Sequence, residues 1–334
     1  MFKKVINLWA QHQVPVSIIA LIIAVVFPLV APSPYVIHIG VLCLIYTVLS
    51  LSLNLVTGFL GITTLGHAAF FGIGAYTAAI LSTSCGFNFF LTMLSAGVVS
   101  ALFGALLGAP TLRISGRYLT IVTIGFCEIT RIVELNWMDL TRGPLGIPNI
   151  PAPTVFGIVC DTPFSKYYVI LALAVLTIIF CKNMLNSRTG RAISAIKGDE
   201  LAANVMGVNL MHIKVMTFTI SAAIAGMAGG FYAHVMSYID PTSFTFDQSV
   251  QIMSMTILGG LGSIPGSIVG AIALTVIPEM LRGFMELRQV LYGLVIVVMV
   301  YFRPTGLLGG FNLKHIRQRI AYAARLTGGE GRNG

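Results

Sequence analysis

The sequence predicts an all-α, polytopic integral membrane helix bundle of about ten spans, and three observations carry that expectation. Hydrophobic residues make up 56% of the 334 and charged residues only 9%, with a mean hydropathy of +0.91. A soluble domain carries roughly a quarter of its residues as Asp, Glu, Lys and Arg, so a surface this poor in charge has to meet lipid. Next, the apolar residues gather in stretches of the length that crosses a hydrocarbon core, about 20 residues of helix. Finally, the basic residues fall almost entirely on one side of the membrane that those stretches define.

The stretches lie near 14–31, 35–56, 65–84, 90–112, 118–135, 167–185, 212–236, 248–261, 264–281 and 289–302. The one at 248–261 is short, and the Gly-rich junction after it allows a hairpin that turns inside the bundle. Lys3 and Lys4 precede an apolar run as in a signal peptide, but Pro15 and Pro28 interrupt it and no small-x-small cleavage site follows, so an uncleaved first span is expected. With the N-terminus inside, Arg142, Lys166, Arg282 and Arg288 face outward, Arg131 lies within a span, and the other 15 of the 20 Lys and Arg residues face inward. By the positive-inside rule both termini are then cytoplasmic, at a bacterial inner membrane. Basic loops at the cytoplasmic leaflet explain the net charge of +9 without any nucleic acid.

No linker separates domains. Residues 1–334 form one transmembrane domain, with spans over roughly 14–302, an inner loop at 186–211 and a basic tail at 303–334, whose Lys314 to Arg325 suit anionic lipid. The five cysteines (Cys43, Cys85, Cys127, Cys160, Cys181) make no C-x-x-C pair and read as small apolar core residues. Cys85 and Cys160 both reach toward the outer face, which leaves a disulfide between them conceivable.

Two connecting segments stand out. The outer one, about 136–166, holds Trp137, suited to the lipid–water boundary, and five prolines, which make a stiff, turn-rich cap: a plain connection or a docking surface. In the inner one, Asp199 is a good N-cap for a short helix starting at Glu200, and Gly207 a good left-handed stop. A capped helix flanked by Arg188, Arg191, Lys197 and Lys214 points to docking of a cytoplasmic partner.

Polar and glycine positions supply the remaining candidates. Gly61, Gly66, Gly72 and Gly74 cluster in one stretch, and Gly259, Gly260, Gly262, Gly266 and Gly270 in another. Small residues let membrane helices approach closely, and let the backbone break where it lines a cavity. A faint internal echo relates Gly58-Phe59-Leu60-Gly61 to Gly259-Gly260-Leu261-Gly262. Glu128, Arg131 and Glu134 recur every three residues over about 120° of one helix face, where the arginine is expected to pair with both carboxylates. They serve as an orienting salt-bridge network or as a polar patch on a pathway. His67 heads a run of small and aromatic residues with no second ligand at metal spacing, so a hydrogen-bonded helix-terminal histidine is expected there. No G-x-x-x-x-G-K-[ST] phosphate loop, H-E-x-x-H or G-x-S-x-G occurs.

Several blocks together resemble a known family. LGHAAFFGIGAYTAAIL (65–81), LRISGRYLTIVTIGFCEITRIVELNW (112–137), GRAISAIKGDELAANVMGVNLMHIKVMTFTISAAIAGMAGGFYA (190–233), ILGGLGSIPGSIVGA (257–271) and YFRPTGLLG (301–309) look like permease subunits of branched-chain amino acid ABC transporters, the Liv-type M subunit. The outer motif departs from the family's T-G-G-P-x-G-I form, with Arg142 in place of a glycine and Leu145 in the variable position.

The resemblance implies the membrane subunit of an ATP-driven importer, of the larger ABC importer permease type. It would pair with a second, related permease and two cytoplasmic ATPase subunits, and take substrate from a periplasmic or lipid-anchored binding protein. The chain is then no enzyme and carries no cofactor of its own, ATP being used by its partners. Arg191, Asp199, Glu200, Ala202, Ala203 and Gly207 fall on the family's coupling-loop pattern. Gly61, Gly66, His67, Glu128, Arg131, Glu134, Gly260 and Gly262 are the candidates for a pathway or gate. Branched-chain amino acids are the expected cargo, with urea, amides or other amino acids as the alternative within the family. A self-sufficient channel or ion-coupled carrier is the alternative from another class.

Overall fold

The apolar stretches fold as helices. The computed structural model describes residues 13–112, 117–155 and 157–280, with Gly293, Val297, Gly306 and Leu307 as isolated positions beyond them. Helix α1 covers Gln13–Val30, and α2 covers Pro34–Asn54 and runs straight into a π-helix at Leu55–Leu60. Helices α3 (His67–Ser84), α4 (Phe89–Thr111) and α5 (Arg117–Asn136) follow, then a single turn, α6 (Met138–Thr141). After the outer segment come α7 (Pro163–Asn186), α8 (Arg188–Gly198), α9 (Glu200–Val205), α10 (Leu210–Met236), α11 (Phe246–Gly259) and α12 (Ile264–Met280).

Among the described residues, four helical segments are long and apolar enough to cross a membrane: Pro34–Leu60, Phe89–Thr111, Pro163–Asn186 and Leu210–Met236. Ile19–Val30 and Ile264–Met280 are shorter apolar helices. The protein is thus a mostly helical, multi-pass membrane bundle. The expected stretch at 289–302 apart from Gly293 and Val297, the basic tail apart from Gly306 and Leu307, and the expected outward Arg282 and Arg288 lie outside the described residues. At 14 residues α11 reaches only about 21 Å, less than a hydrocarbon core, and it ends at a turn built on Gly260 (φ 121°) and Gly262 (φ 79°) before α12 returns against it.

Helix α10 occupies the centre, packed chiefly against α4 and α3. Small residues permit this. A Cβ on Gly74 would come within 2.1 Å of the Gly226 carbonyl oxygen, and one on Gly229 within 2.0 Å of the Phe71 carbonyl oxygen. Phe70, Phe218, Phe231 and Phe244 fill the space around these contacts and are fully buried. The outer faces stay apolar, with Ile22, Ile23 and Leu29 on α1 and Leu94, Leu102 and Leu106 on α4 exposed, as lipid contact requires.

The segment at 136–166 is as turn-rich as its prolines predict. Strand β1 (Ile147–Pro148) pairs antiparallel with β4 (Tyr238–Ile239), and β2 (Thr154–Val155) with β3 (Ile158–Val159). His234 Nδ1 donates to the Pro151 carbonyl oxygen at 2.7 Å and ties α10 to this cap. All five cysteines are free, four of them buried and Cys85 exposed, so Cys85 and Cys160 form no disulfide.

Candidate functional site

The loop between α7 and α10 carries the capped helix that its residues predict. Asp199 is extended at φ −157°, and its Oδ1 accepts hydrogen bonds from Leu201 N at 2.9 Å and Ala202 N at 3.0 Å. Those bonds satisfy two of the amide groups a helix start leaves open. Glu200 in the first turn accepts from Lys214 Nζ at 2.7 Å, which anchors α9 to the beginning of α10. Gly207 stops the helix at φ 82°, a backbone position that disfavours any side chain with a Cβ.

One face of α9 is seated and the other is bare. Ala203 is buried with Leu60, Met184, Ile193 and Ile196, so α8 and α9 share a small core with the end of the π-helix. Leu201, Val205 and Met206 are 79%, 87% and 83% exposed, and Ala202 and Arg191 are exposed beside them. Three adjacent large apolar side chains held outward on a capped helix form the kind of patch that marks a docking surface.

Beneath this helix pair the two echoing glycine motifs meet. A Cβ on Gly58 would fall 2.4 Å from Gly262 N and 1.7 Å from Asn54 Oδ1, so only glycine lets the π-helix and the α11–α12 turn touch. Asn54, fully buried, binds the turn from both ends of its amide. Its Oδ1 accepts from Gly262 N at 2.9 Å, while its Nδ2 donates to the Ser263 carbonyl oxygen at 3.1 Å and to Ser267 Oγ at 2.7 Å. Gly61 closes the π-helix at φ 85°. Gly306 crowds Gly260 from the other side, and Leu307 N donates to the Leu258 carbonyl oxygen at 2.8 Å.

Lys197, on α8, reaches into this junction. Its Nζ donates to the Gly58 carbonyl oxygen, and its stem runs alongside Gly61. Partial burial holds its amine below the usual lysine range.

Gly66 and His67 lie at the start of α3 as anchors. A Cβ on Gly66 would come 2.5 Å from the Thr123 carbonyl oxygen, so α3 begins in backbone contact with α5. His67 Nε2 lies 2.6 Å from Ser52 Oγ. Since the Ser52 hydroxyl donates to the Leu49 carbonyl oxygen at 2.7 Å, the imidazole is left to donate. This is the hydrogen-bonded helix-terminal histidine expected, and no group of three or more metal-binding side chains occurs among the described residues.

The α5 charges divide differently from the expectation. Arg131 bridges Glu128 at 2.9 Å with both side chains about one-third exposed, but it does not pair with Glu134. Each three-residue step turns the helix by about 60° short of a full circle, which carries Glu134 off the open face and into the bundle. There it is 4% exposed, both carboxylate oxygens lack a hydrogen-bond partner, and Oε1 lies 2.7 Å from where a Gly72 Cβ would be.

Sequence reasoning missed Asn54 and gave Lys197 only a place in the charge tally and among the basic residues flanking the short helix. The signal for Asn54 was present: an amide inside an apolar run, four residues before Gly58.

Taken together, these features define a class of protein: a multi-pass helical membrane protein whose glycine-packed interior is joined to a short capped helix with an exposed apolar face. A family model described as the branched-chain amino acid transport system / permease component matches residues 35–300. The chain belongs to that family of transporter permeases. It is 39% identical over 311 residues to the high-affinity branched-chain amino acid transport system permease protein LivM of Salmonella typhimurium, covering 86% of this chain and 73% of that protein, and equally to LivM of Escherichia coli. The LivH permease of Salmonella typhimurium is more distant, 24% identical over 288 residues, covering 79% of this chain and 91% of the relative. No solved structure matches the chain.

Proposed function

We propose that this chain is one of two permeases in an ATP-driven importer of branched-chain amino acids, with the loop at 186–211 in the cytoplasm. Its partners are a second, related permease, two ATPase subunits and an extracytoplasmic binding protein. The cargo follows the names of the LivM and LivH relatives. The observation that carries the coupling role is α9: a capped helix, fixed on one face through Ala203 and baring Leu201, Val205 and Met206 on the other. Such a helix suits an apolar groove on an ATPase. Arg191, Asp199, Glu200, Ala202, Ala203 and Gly207 build, orient or flank it.

Access switches where the backbone is least regular. Gly61, Gly260 and Gly262 form the hinge at the meeting of the π-helix and the α11–α12 turn, while Gly66 and His67 hold α3 in register beside it. Glu128 and Arg131 lie on the open face of α5, midway along a helix in the membrane region, where a lone charge facing lipid costs roughly 2.5–3.5 kcal/mol. That face therefore turns toward the second permease or the water-filled path, not toward lipid.

The test is reconstitution. Proteoliposomes holding both permeases, both ATPases and the binding protein should accumulate leucine only with ATP, and this chain alone should move none. Val205→Asp, on the bare face of α9, should cut uptake about tenfold or more, as loss of a buried anchor does, with membrane insertion intact. Leucine transport by the isolated chain would overturn the proposal in favour of a channel or carrier.

A further inference from the structure

We propose that Lys197 is a positioning residue that transmits movement of the docking helix to the glycine junction. The inference rests on the coupling role just assigned to α9. It concerns what lies between that helix and the bundle, which the docking surface alone does not explain.

Lys197 stands two residues before the Asp199 cap, at the end of α8 nearest α9. Although the residue is exposed, its ammonium turns toward the bundle and donates to the Gly58 carbonyl oxygen. Gly58 lies in the last turn of the π-helix, where carbonyl groups have no onward amide partner and where the helix dipole favours a cation. Lys197 thus caps the C-terminal end of that irregular turn from a neighbouring element.

The link continues past Gly58. A Cβ on Gly262 would lie 3.2 Å from the Gly58 oxygen and 3.5 Å from Lys197 Nζ, so the amine is bound to one glycine motif and lies beside the other. Gly262 N is held by Asn54 Oδ1, and the Asn54 amide grips Ser263 and Ser267 at the start of α12. Two hydrogen-bonded links therefore meet here, Lys197 to Gly58 on one side and Asn54 to Gly262, Ser263 and Ser267 on the other, joined by the close backbone approach of Gly58 to Gly262. Together they join the docking helices to the ends of α2 and α11 and the start of α12, where Gly61, Gly260 and Gly262 take positive φ and the backbone is able to hinge. The apolar contacts of Ile193 and Ile196 with Leu60 hold α8 against the π-helix but do not reach the α11–α12 turn. The lysine does.

A cation on a carbonyl also suits a link that must break and re-form. The bond is charge-assisted, yet the amine lies at the end of a flexible stem and can follow a small displacement of α8. When the ATPases close and α9 shifts, Lys197 pulls or releases Gly58 and Gly262 together.

The experiment uses the complete transporter carrying Lys197→Met, which keeps the apolar stem and removes the cation. Leucine uptake should fall about tenfold, within the range of coupling free energies between distant sites, while ATP hydrolysis stays within about twofold of the unaltered complex. A merely structural lysine would lower both together, or neither. Rescue comes from Lys197→Cys in a Cys85→Ser background: aminoethylation of the new thiol restores a near-isosteric amine and should restore uptake.

A second readout needs no substrate. Trapping with ATP and vanadate should alter amide hydrogen exchange in 188–206 and, in step with it, in 55–63 and 260–263. In Lys197→Met the first change should remain and the other two disappear. Persistence of all three, or parallel loss of uptake and hydrolysis without rescue by the aminoethylated side chain, overturns the proposal. If the unaltered complex imports no leucine, the cargo assignment fails, and the exchange measurement still decides the role of Lys197.

Discussion

Three residues in α5 show how much one step of helix rotation decides. Glu128 and Arg131 share the open face and neutralise one another at 2.9 Å. Glu134, at the same spacing further on, is sealed against Gly72 with neither oxygen partnered. An unsatisfied buried polar group costs roughly 1–3 kcal/mol, so replacing it with an apolar side chain of similar volume should not weaken the fold. Glu134→Met is expected to leave the melting temperature of the purified transporter in detergent unchanged or raised. A clear drop would mean that the carboxyl finds a partner in the assembled complex. The Asp199 cap makes the opposite prediction: Asp199→Ala should destabilise α9 by about 1 kcal/mol. That change should appear as faster amide exchange in 200–206, with the membrane helices unaffected.

Among elements, the contacts of α10 with α3 and α4 illustrate what glycine does in a membrane. There is no hydrophobic drive between helices in lipid, so close van der Waals approach has to supply the association. Gly74, Gly226 and Gly229 provide it by letting backbone meet backbone or a small side chain. Over-packing such a seam costs typically 1–3 kcal/mol. Gly229→Ala, whose new Cβ would fall 2.0 Å from the Phe71 carbonyl oxygen, is expected to lower thermal stability by at least that much. Gly125→Ala on α5 supplies the contrast, because nothing lies within 4 Å of its Cβ, and it should be silent in the isolated chain.

At the scale of the molecule, the described exposed faces of α1, α4 and α5 sort into two kinds. Those of α1 and α4 are apolar throughout and suit lipid. The open face of α5 combines Ile121, Gly125 and Ile132 with the Glu128–Arg131 pair, a mixture suited to a second helix pressed close against it. A cysteine introduced at Gly125 should therefore cross-link to the second permease in the complete transporter, whereas one at Leu102 on α4 should not. The reverse pattern would place the interface elsewhere and leave the charge pair lining water alone.

Composition and apolar period determined, with no structure at all, that this is a multi-pass helical membrane protein, and the positions of the described spans followed within a few residues. The short capped helix was equally legible, since Asp199 and Gly207 act locally: a cap and a left-handed stop work through backbone groups within four residues of themselves. The ordered blocks also led to the right permease family. What the tertiary structure alone decided were contacts between residues far apart in the chain. Gly58 and Gly262 looked like a faint repetition until their backbones met, Asn54 stood out as an amide in an apolar run but nothing local named its partners, Lys197 read as one more basic flank of the short helix, and Glu134 looked like a partner of Arg131 until rotation hid it. Periodicity reports which face a residue occupies on its own helix, but which neighbour fills that face is set only when the helices pack.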